Sequence, residues 1–100
     1  MKKFIISIDA GTTSNRSILF DLKGKPVYAS QKEFKQYFPK SGWVEHDPEE
    51  IWQTTVKTLK DVIIKAKKLR GKILAIGITN QRETTILWDK NTGKPVYNAI

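Results

Sequence analysis

A mixed α/β fold with one long helix is predicted by the order of the apolar segments in this 100-residue sequence. Two apolar, β-prone runs, residues 4–8 and 17–20, come first, and a less regular strand over residues 27–35 follows them. A helical pattern then leads into another apolar run, residues 73–78. Because a strand that follows a helical crossover commonly pairs in parallel, we expect three antiparallel strands, a helix and a parallel strand.

The helix has the clearest signals at both ends. Asp47 is a favourable N-cap, Pro48 suits the first helical position, and Glu50 completes the pattern of a capping box. Gly71 is expected just after the helix, at the position that favours a left-handed backbone. Apolar residues spaced three and four apart predict the buried face: Trp52, Val56, Leu59, Ile63 and Ala66, widened by Ile51, Val62 and Leu69.

The remaining segments predict a loop and a last strand. Residues 37–44 contain Pro39 and Gly42 and favour a loop, whereas residues 84–88 form an apolar run followed by a turn over residues 89–93. The third strand, with its imperfect alternation, is expected near an edge of the sheet. The final run, residues 96–100, has no turn or cap after it, so we expect a partial domain.

Composition excludes several classes of protein. The chain is 39% hydrophobic and has no cysteine, which excludes disulfides and thiolate metal sites. It has neither an apolar run of the ~20 residues that a membrane span needs nor the pattern of a signal peptide, so a cytoplasmic protein is expected. The net charge of +8 is carried mostly by lysines that are dispersed along the sequence, with one dense cluster at residues 65–72. This distribution favours a solvated surface over a dedicated nucleic-acid binder.

Residues 9–14, Asp-Ala-Gly-Thr-Thr-Ser, join two strands and have the chemistry of an anion site. Gly11 permits close approach of a ligand to the backbone, the N–H groups of a tight turn form an anion nest, and three hydroxyls can donate. Asp9 could hold Mg²⁺ through oxygen, and Arg16 could pair with a phosphate. The segment matches neither a P-loop nor a dinucleotide fingerprint. A polar hairpin turn without a ligand is an equally good interpretation of this segment alone.

Two further segments carry polar clusters. Arg82 and Glu83 follow the strand at residues 73–78, where ligands of open α/β sheets bind, and they offer the donors and acceptors that a small polyol needs. An Arg–Glu surface pair is the simpler alternative. Glu45, His46 and Asp47 are adjacent and could be taken for a metal site. A helix-entry loop is favoured instead, because Asp47 already serves as a cap.

These segments together resemble the start of the FGGY family of carbohydrate kinases, over essentially all 100 residues. Residues 9–14 resemble the first phosphate motif of many actin-like kinases, and residues 42–48 and 77–85 resemble motifs of the glycerol-phosphorylating members. The resemblance implies an actin-like ATPase, or ribonuclease H-like, fold. Residues 1–100 would form the N-terminal part of the first kinase domain, and the remainder of that domain and a second domain would lie outside them.

The resemblance also implies roles for individual residues. Thr12, Thr13, Ser14 and Arg16 match positions that bind the nucleotide phosphates, and Asp9 matches the acidic residue associated with Mg²⁺. Glycerol is matched by Arg82 and Glu83, and Thr12 also lies near the phosphate of the product. Ala10 departs from the glutamine that is frequent in these kinases. The family's general base, an aspartate, lies beyond residue 100, so we expect no kinase activity from residues 1–100 alone.

The implied reaction transfers the γ-phosphoryl group of ATP to glycerol, which gives sn-glycerol 3-phosphate and ADP in glycerol catabolism. Glycerol and ATP are the expected ligands, members of the family form homodimers or homotetramers, and neither nucleic acid nor a membrane is an expected partner. Two alternatives stay open. One is a related kinase that acts on a larger sugar or polyol, and the other is a stand-alone basic binding module, for which nucleic-acid binding would depend steeply on salt.

Overall fold

The computed structural model describes residues 2–81 and 84–100 and shows a sheet covered on one face by a helix. Arg82 and Glu83, the predicted polyol pair, lie outside the described residues. The predicted strands at residues 4–8, 17–20 and 73–78 and the helix follow the predicted order, and these three strands are longer than predicted. The elements are β1 (Lys2–Ala10), β2 (Ser14–Asp21), β3 (Pro26–Glu33), β4 (Gln36–Tyr37), β5 (Glu45–His46), α1 (Pro48–Lys68) and β6 (Gly71–Thr79).

The sheet confirms the predicted mixed topology. Its strand order is β3-β2-β1-β6, with antiparallel pairing of β1 with β2 and of β2 with β3, and parallel pairing of β1 with β6. The third strand lies at an edge, as its imperfect alternation predicts. Because β1 and β6 are parallel, their carboxyl ends meet at one edge of the sheet, where Asp9 pairs with Thr79.

The helix packs on the sheet through a narrower and more polar face than the one predicted. Trp52 was expected to be buried but is 64% exposed. The reason is that β2 presents the buried polar residues Asn15 and Ser17 to the first half of the helix, where threonines rather than large apolar side chains complement them. The buried helix residues are spaced four apart: Thr54, Thr58, Val62 and Ala66. Leu59, Ile63 and Leu69 pack beside the apolar core of Phe4, Ile6, Ile8, Leu19, Val62 and Ala66.

The helix begins as predicted, but two expectations about its ends are wrong. The Asp47 side chain caps the first turn by accepting from the Glu49 backbone N–H at 2.9 Å. Glu50 does not complete a capping box with Asp47; its carboxylate accepts instead from the Lys35 N–H at 3.0 Å and the Tyr37 hydroxyl at 2.9 Å, which attaches the preceding loop to the helix. These contacts draw the side chain away from the helix terminus.

At the other end of the helix, Arg70 rather than Gly71 adopts the left-handed backbone, with a φ of 55°. Gly71 is the first residue of β6, and a Cβ atom there would collide with the ring of Phe4. The glycine is therefore needed for close packing against β1, not for ending the helix.

The two segments that flank the helix in sequence pair with each other. Residues 37–44, predicted as a loop, include one residue of β4, which pairs with β5 through Gln36–His46 and Tyr37–Glu45. The predicted strand at residues 84–88 is not a continuous strand. It is a looser hairpin with backbone hydrogen bonds between Thr85 and Ile100, together with a bridge between Trp88 and Pro95.

Strand β6 has the apolar composition of a buried strand but is largely exposed. Ile76 pairs with the fully buried Ile6 and shares its side of the sheet, yet it is 47% exposed because α1 lies mainly over β2 and β3. Leu74 and Ile78 are exposed as well. None of the described residues form a helix that is long and apolar enough to cross a bilayer.

Candidate functional site

The turn between β1 and β2 presents hydroxyl-bearing residues at the edge of the sheet. The Gly11 N–H donates to the Ser14 carbonyl at 2.9 Å and closes the turn. A Cβ atom on Gly11 would lie 2.9 Å from the same oxygen, so only glycine fits without opening the turn. Thr12 and Thr13 are exposed at its tip and Ser14 is half-buried. The structure therefore places three of the predicted phosphate-binding residues together on a short, constrained segment.

Residues from neighbouring parts of the fold hold this turn in place. Gln31 of β3 donates from Nε2 to the Ser14 hydroxyl at 2.8 Å, and the Phe34 N–H donates to the Thr13 carbonyl at 3.2 Å. His46 of β5 packs edge-on against Phe34, with ring centroids 5.1 Å apart, and lies near the backbone of Thr12. The turn thus keeps its shape through contacts that come from β3, from the link between β3 and β4, and from β5.

His46 is the one titratable group under the turn whose pKa is shifted. Burial in this apolar setting lowers the pKa of the imidazole below its ordinary value of 6.5, and the nearby backbone of Thr12 acts in the opposite direction. His46 Nε2 is buried and has no hydrogen-bond partner within residues 2–81 and 84–100. The side chain is therefore neutral around pH 7, and its function is to support the turn by packing.

The neighbours of His46 have separate structural tasks. Glu45 is buried, and its carboxylate accepts from the Tyr97 hydroxyl at 2.9 Å and from the Asn98 amide at 3.2 Å. Asp47 caps the helix. No group of three or more metal-ligating side chains occurs in the part of the chain that the structure describes. Residues 45–47 thus form the entry to the helix, and hydrogen bonds connect this segment to residues 97–99.

Asp9 lies beside the turn, between two polar neighbours. Arg16 opposes it across the β1–β2 pair, with Arg16 Nη2 3.8 Å from Asp9 Oδ2 and both side chains about half exposed. On the other side, the Thr79 hydroxyl donates to Asp9 Oδ1 at 3.2 Å. An open cleft of about 480 Å³ adjoins these groups and is lined by Ser7, Ile8, Asp9, Ile18, Thr79 and Asn80.

Strand β6 ends at this cleft, with Thr79, and Asn80 and Gln81 follow it in sequence. Asn80 lines the cleft with Asp9, and Gln81 Oε1 accepts from the Thr84 hydroxyl at 2.9 Å. The two predicted polyol ligands, Arg82 and Glu83, lie between these residues in sequence and outside the described residues. Thr79 and Asn80 lie at the same sheet edge as Asp9, which is where the carboxyl ends of the parallel strands meet.

A polar layer between the sheet and the helix was not predicted from the sequence. Asn15 is fully buried next to the turn, and its amide donates to the Ile51 carbonyl at 2.9 Å and the Thr54 hydroxyl at 2.6 Å. Ser17 and Thr58 share a hydrogen bond of 3.0 Å one layer further along. The sequence does contain a signal for this layer. Thr54 and Thr58 are four residues apart, and Val62 and Ala66 continue the same four-residue spacing along the helix. This layer anchors the start of β2 directly beneath the turn.

Comparisons with known proteins agree on one family. The model for the N-terminal domain of the FGGY family of carbohydrate kinases matches residues 4–100. Over all 100 residues the chain is 62% identical to a glycerol kinase of Alkaliphilus metalliredigens and 61% identical to one of Rhizobium meliloti. The chain spans 20% of the length of each of these relatives.

Solved structures show the same likeness. The Plasmodium falciparum glycerol kinase with ADP superposes with a TM-score of 0.88 and 40% identity, over 99% of this chain and 20% of that one. The gluconate kinase of Lactobacillus acidophilus also has a TM-score of 0.88, with 30% identity over 100% of this chain and 20% of that one. The fold is thus shared by sugar kinases of different specificity, and the higher identities belong to glycerol kinases.

Proposed function

The chain belongs to the FGGY family of carbohydrate kinases, and we propose that it is the N-terminal part of an ATP-dependent glycerol kinase. The observation that carries this proposal is the 62% identity to a glycerol kinase over all 100 residues. The proposed reaction moves the γ-phosphoryl group of ATP to glycerol and yields sn-glycerol 3-phosphate and ADP, as a step of glycerol catabolism in the cytoplasm. Residues 1–100 would supply the first part of the N-terminal kinase domain.

The turn at residues 10–14 is proposed to hold the nucleotide phosphates. Its backbone N–H groups and the hydroxyls of Thr12, Thr13 and Ser14 are donors on a segment held in one shape, which suits charge stabilisation without reorganisation. Arg16 adds a positive charge beside the turn, at the place where a transferred phosphoryl group would carry negative charge. The hydrogen bonds from Gln31 and Phe34 support the proposal, because they restrict the motion of these donors.

Asp9 is proposed to hold Mg²⁺. Its carboxylate contacts the Thr79 hydroxyl and lies 3.8 Å from Arg16 Nη2, and a half-exposed carboxylate at the mouth of a cleft suits a hard cation that retains some of its water. The ion would supply charge neutralisation between the phosphate groups when it is bound. Thr79 and Arg16, which contact different oxygens of the Asp9 carboxylate, would orient it from both sides.

Glycerol is proposed to bind through Arg82 and Glu83, with Thr12 near the phosphate of the product. A guanidinium donates and a carboxylate accepts, so the pair can satisfy adjacent hydroxyls. The base that takes the proton of the attacking hydroxyl is proposed to lie in the remaining four-fifths of a full-length enzyme, since such transfer needs one. Residues 1–100 alone are therefore expected to be inactive. Assembly into homodimers or homotetramers is also proposed from the family.

A substrate panel on the protein at its natural length tests the proposal. ADP release is measured with glycerol, gluconate and xylulose as acceptors, because structures of kinases for the last two share this fold. Glycerol is expected to give the highest kcat/KM. Arg82→Ala is expected to raise the KM for glycerol more than the KM for ATP. Preferred phosphorylation of gluconate or xylulose would instead support the alternative of a related sugar kinase.

A further inference from the structure

The fold concentrates the chain's net charge at one end of the sheet. Three segments meet there: residues 2–4 at the start of β1, residues 21–27 at the β2–β3 turn, and residues 65–72 from the last turn of α1 to the start of β6. They contain nine basic residues and one acid, so they account for the whole net charge of +8; the rest of the chain has nine of each sign. We call these three segments the basic end.

Strand pairing shows that the segments are neighbours. Lys3 pairs with Lys72 across β1 and β6, and Phe4 pairs with Asp21 across β1 and β2. The Lys65 ammonium lies over the ring of Tyr28 on β3, 5.6 Å from its centroid, which joins the end of the helix to the edge of the sheet. Lysines that are dispersed in sequence are thus gathered in space, and all nine basic residues except Lys65 are exposed.

The basic end has little internal neutralisation. Its one acid, Asp21, is used by the turn, where Oδ1 accepts from the backbone N–H groups of Lys23 and Lys25 at 2.9 and 3.0 Å. The nearby Asp61 of α1 accepts from Lys57 and Ser30. Like charges at this density repel one another and raise the local potential, which an anionic surface would relieve.

Apolar side chains lie among these lysines. Leu22, at the tip of the β2–β3 turn, is 56% exposed, and Val27 is 40% exposed. Both line an open groove of about 550 Å³, whose other lining residues are Phe4, Leu69, Asp21, Lys2, Lys3 and Lys23. Exposed apolar groups within a ring of lysines are the combination that binds the interface of an anionic bilayer, where charge attracts and the apolar side chains insert.

We propose that the basic end is a peripheral docking surface for anionic phospholipid membranes. Lysine ammonium groups on flexible stems suit the diffuse charge of lipid headgroups, whereas Arg70 is the one forked donor available here for reading nucleic acid. The site edge with Asp9 lies at the opposite end of β1, so a docked molecule keeps its cleft facing away from the bilayer. The inference is independent of the proposed kinase activity, and it revises the expectation from sequence that a membrane is not a partner.

Co-sedimentation of the natural-length protein with vesicles tests this surface. Vesicles of phosphatidylcholine with about a third phosphatidylserine are compared with pure phosphatidylcholine, at low and physiological salt. We expect binding to the anionic vesicles alone, weakened by salt. Replacing Lys2, Lys3, Lys23 and Lys25 by Gln is expected to lower the partition constant by about 100-fold or more, since each basic residue near the surface contributes roughly fivefold.

A matched control separates this surface from general charge. Lys32, Lys60, Lys90 and Lys94 lie outside the basic end, and replacing all four by Gln removes the same charge. We expect this variant to retain most of the binding, and Leu22→Gln to weaken the part that survives at physiological salt. Equal losses in both quadruple variants, equal binding to neutral vesicles, no binding at low salt, or tighter binding to a DNA duplex than to the anionic vesicles would each overturn the proposal.

Discussion

The contact between α1 and the sheet differs between its two halves. Near the turn at residues 10–14 it is polar, with the buried hydrogen bonds of Asn15 to Thr54 and of Ser17 to Thr58. Further from the turn it is apolar, with Phe4, Val62 and Ala66 in close packing. Apolar contacts are strong but non-directional, whereas buried hydrogen bonds add little net free energy and demand one geometry. The apolar half therefore supplies most of the stability, and the polar half fixes the position of the site.

The largest expected effect is a loss of stability from the apolar half. Ile6→Ala removes a fully buried side chain from the centre of the core and leaves a cavity, so the free energy of unfolding should fall by about 3 kcal/mol. Ile64→Ala on the exposed face of the same helix–sheet unit is the control, and it should change stability by about 0.5 kcal/mol or less. Urea denaturation of the chain measures both. Similar costs for the two variants would contradict the assignment of the core.

A mutation in the polar half is expected to affect stability less and the site more. Asn15→Ala removes the two buried hydrogen bonds that its amide donates to the Ile51 carbonyl and the Thr54 hydroxyl, so stability should fall by about 1–3 kcal/mol. The KM for ATP of the natural-length protein should rise several-fold, because the start of β2 shifts under Ser14.

Ser17→Ala removes a buried hydrogen bond of the same kind one layer further from the turn. It should cost about 1 kcal/mol and leave the KM for ATP unchanged. A rise in the KM for ATP that is as large for Ser17→Ala as for Asn15→Ala would contradict the prediction that Asn15 in particular positions the site.

The smallest expected effect is a pH dependence that arises under the turn. The folded state holds the pKa of His46 below 6.5, so the unfolded chain binds more protons and stability declines as the pH falls through that value. The decline should level off once the folded state is protonated as well. His46 is the only histidine, so His46→Gln should make the free energy of unfolding depend less on pH between about pH 5.5 and 7. Unfolding by urea at several pH values measures this slope, and an unchanged slope in the variant would contradict its assignment to His46.

Local signals predicted the order of the elements and the topology of the sheet. The cap at Asp47 and the apolar runs of β1 and β6 have physical causes that lie within a few residues of sequence. The face of α1 was mispredicted because burial depends on the opposing strand: Trp52 fits an apolar stripe, but β2 offers Asn15 and Ser17 at that level. Local pattern contains no information about that partner.

The candidate site shows the same contrast between features that local sequence predicts and features that depend on distant residues. The short turn with Gly11 and the acidic residue at the end of β1 were visible in sequence, because their chemistry is local. The supports from Gln31, Phe34 and His46 were not, since each of these residues is distant from the turn in sequence and meets it only in the fold. The basic end was missed for the same reason, as its lysines come from three separate segments.

We propose that phosphoryl transfer takes place at the Asp9 end of the sheet. The most direct test is the kcat for glycerol-dependent ADP release by the natural-length protein, measured for Asp9→Asn and for Asp21→Asn. Both changes remove one carboxylate from an end of the sheet, but only Asp9 adjoins the turn at residues 10–14. We predict a fall of about 100-fold or more for Asp9→Asn, since it removes charge that acts on the transferring group, and little change for Asp21→Asn. Wild-type kcat in Asp9→Asn, or an equal loss in both variants, would contradict the account.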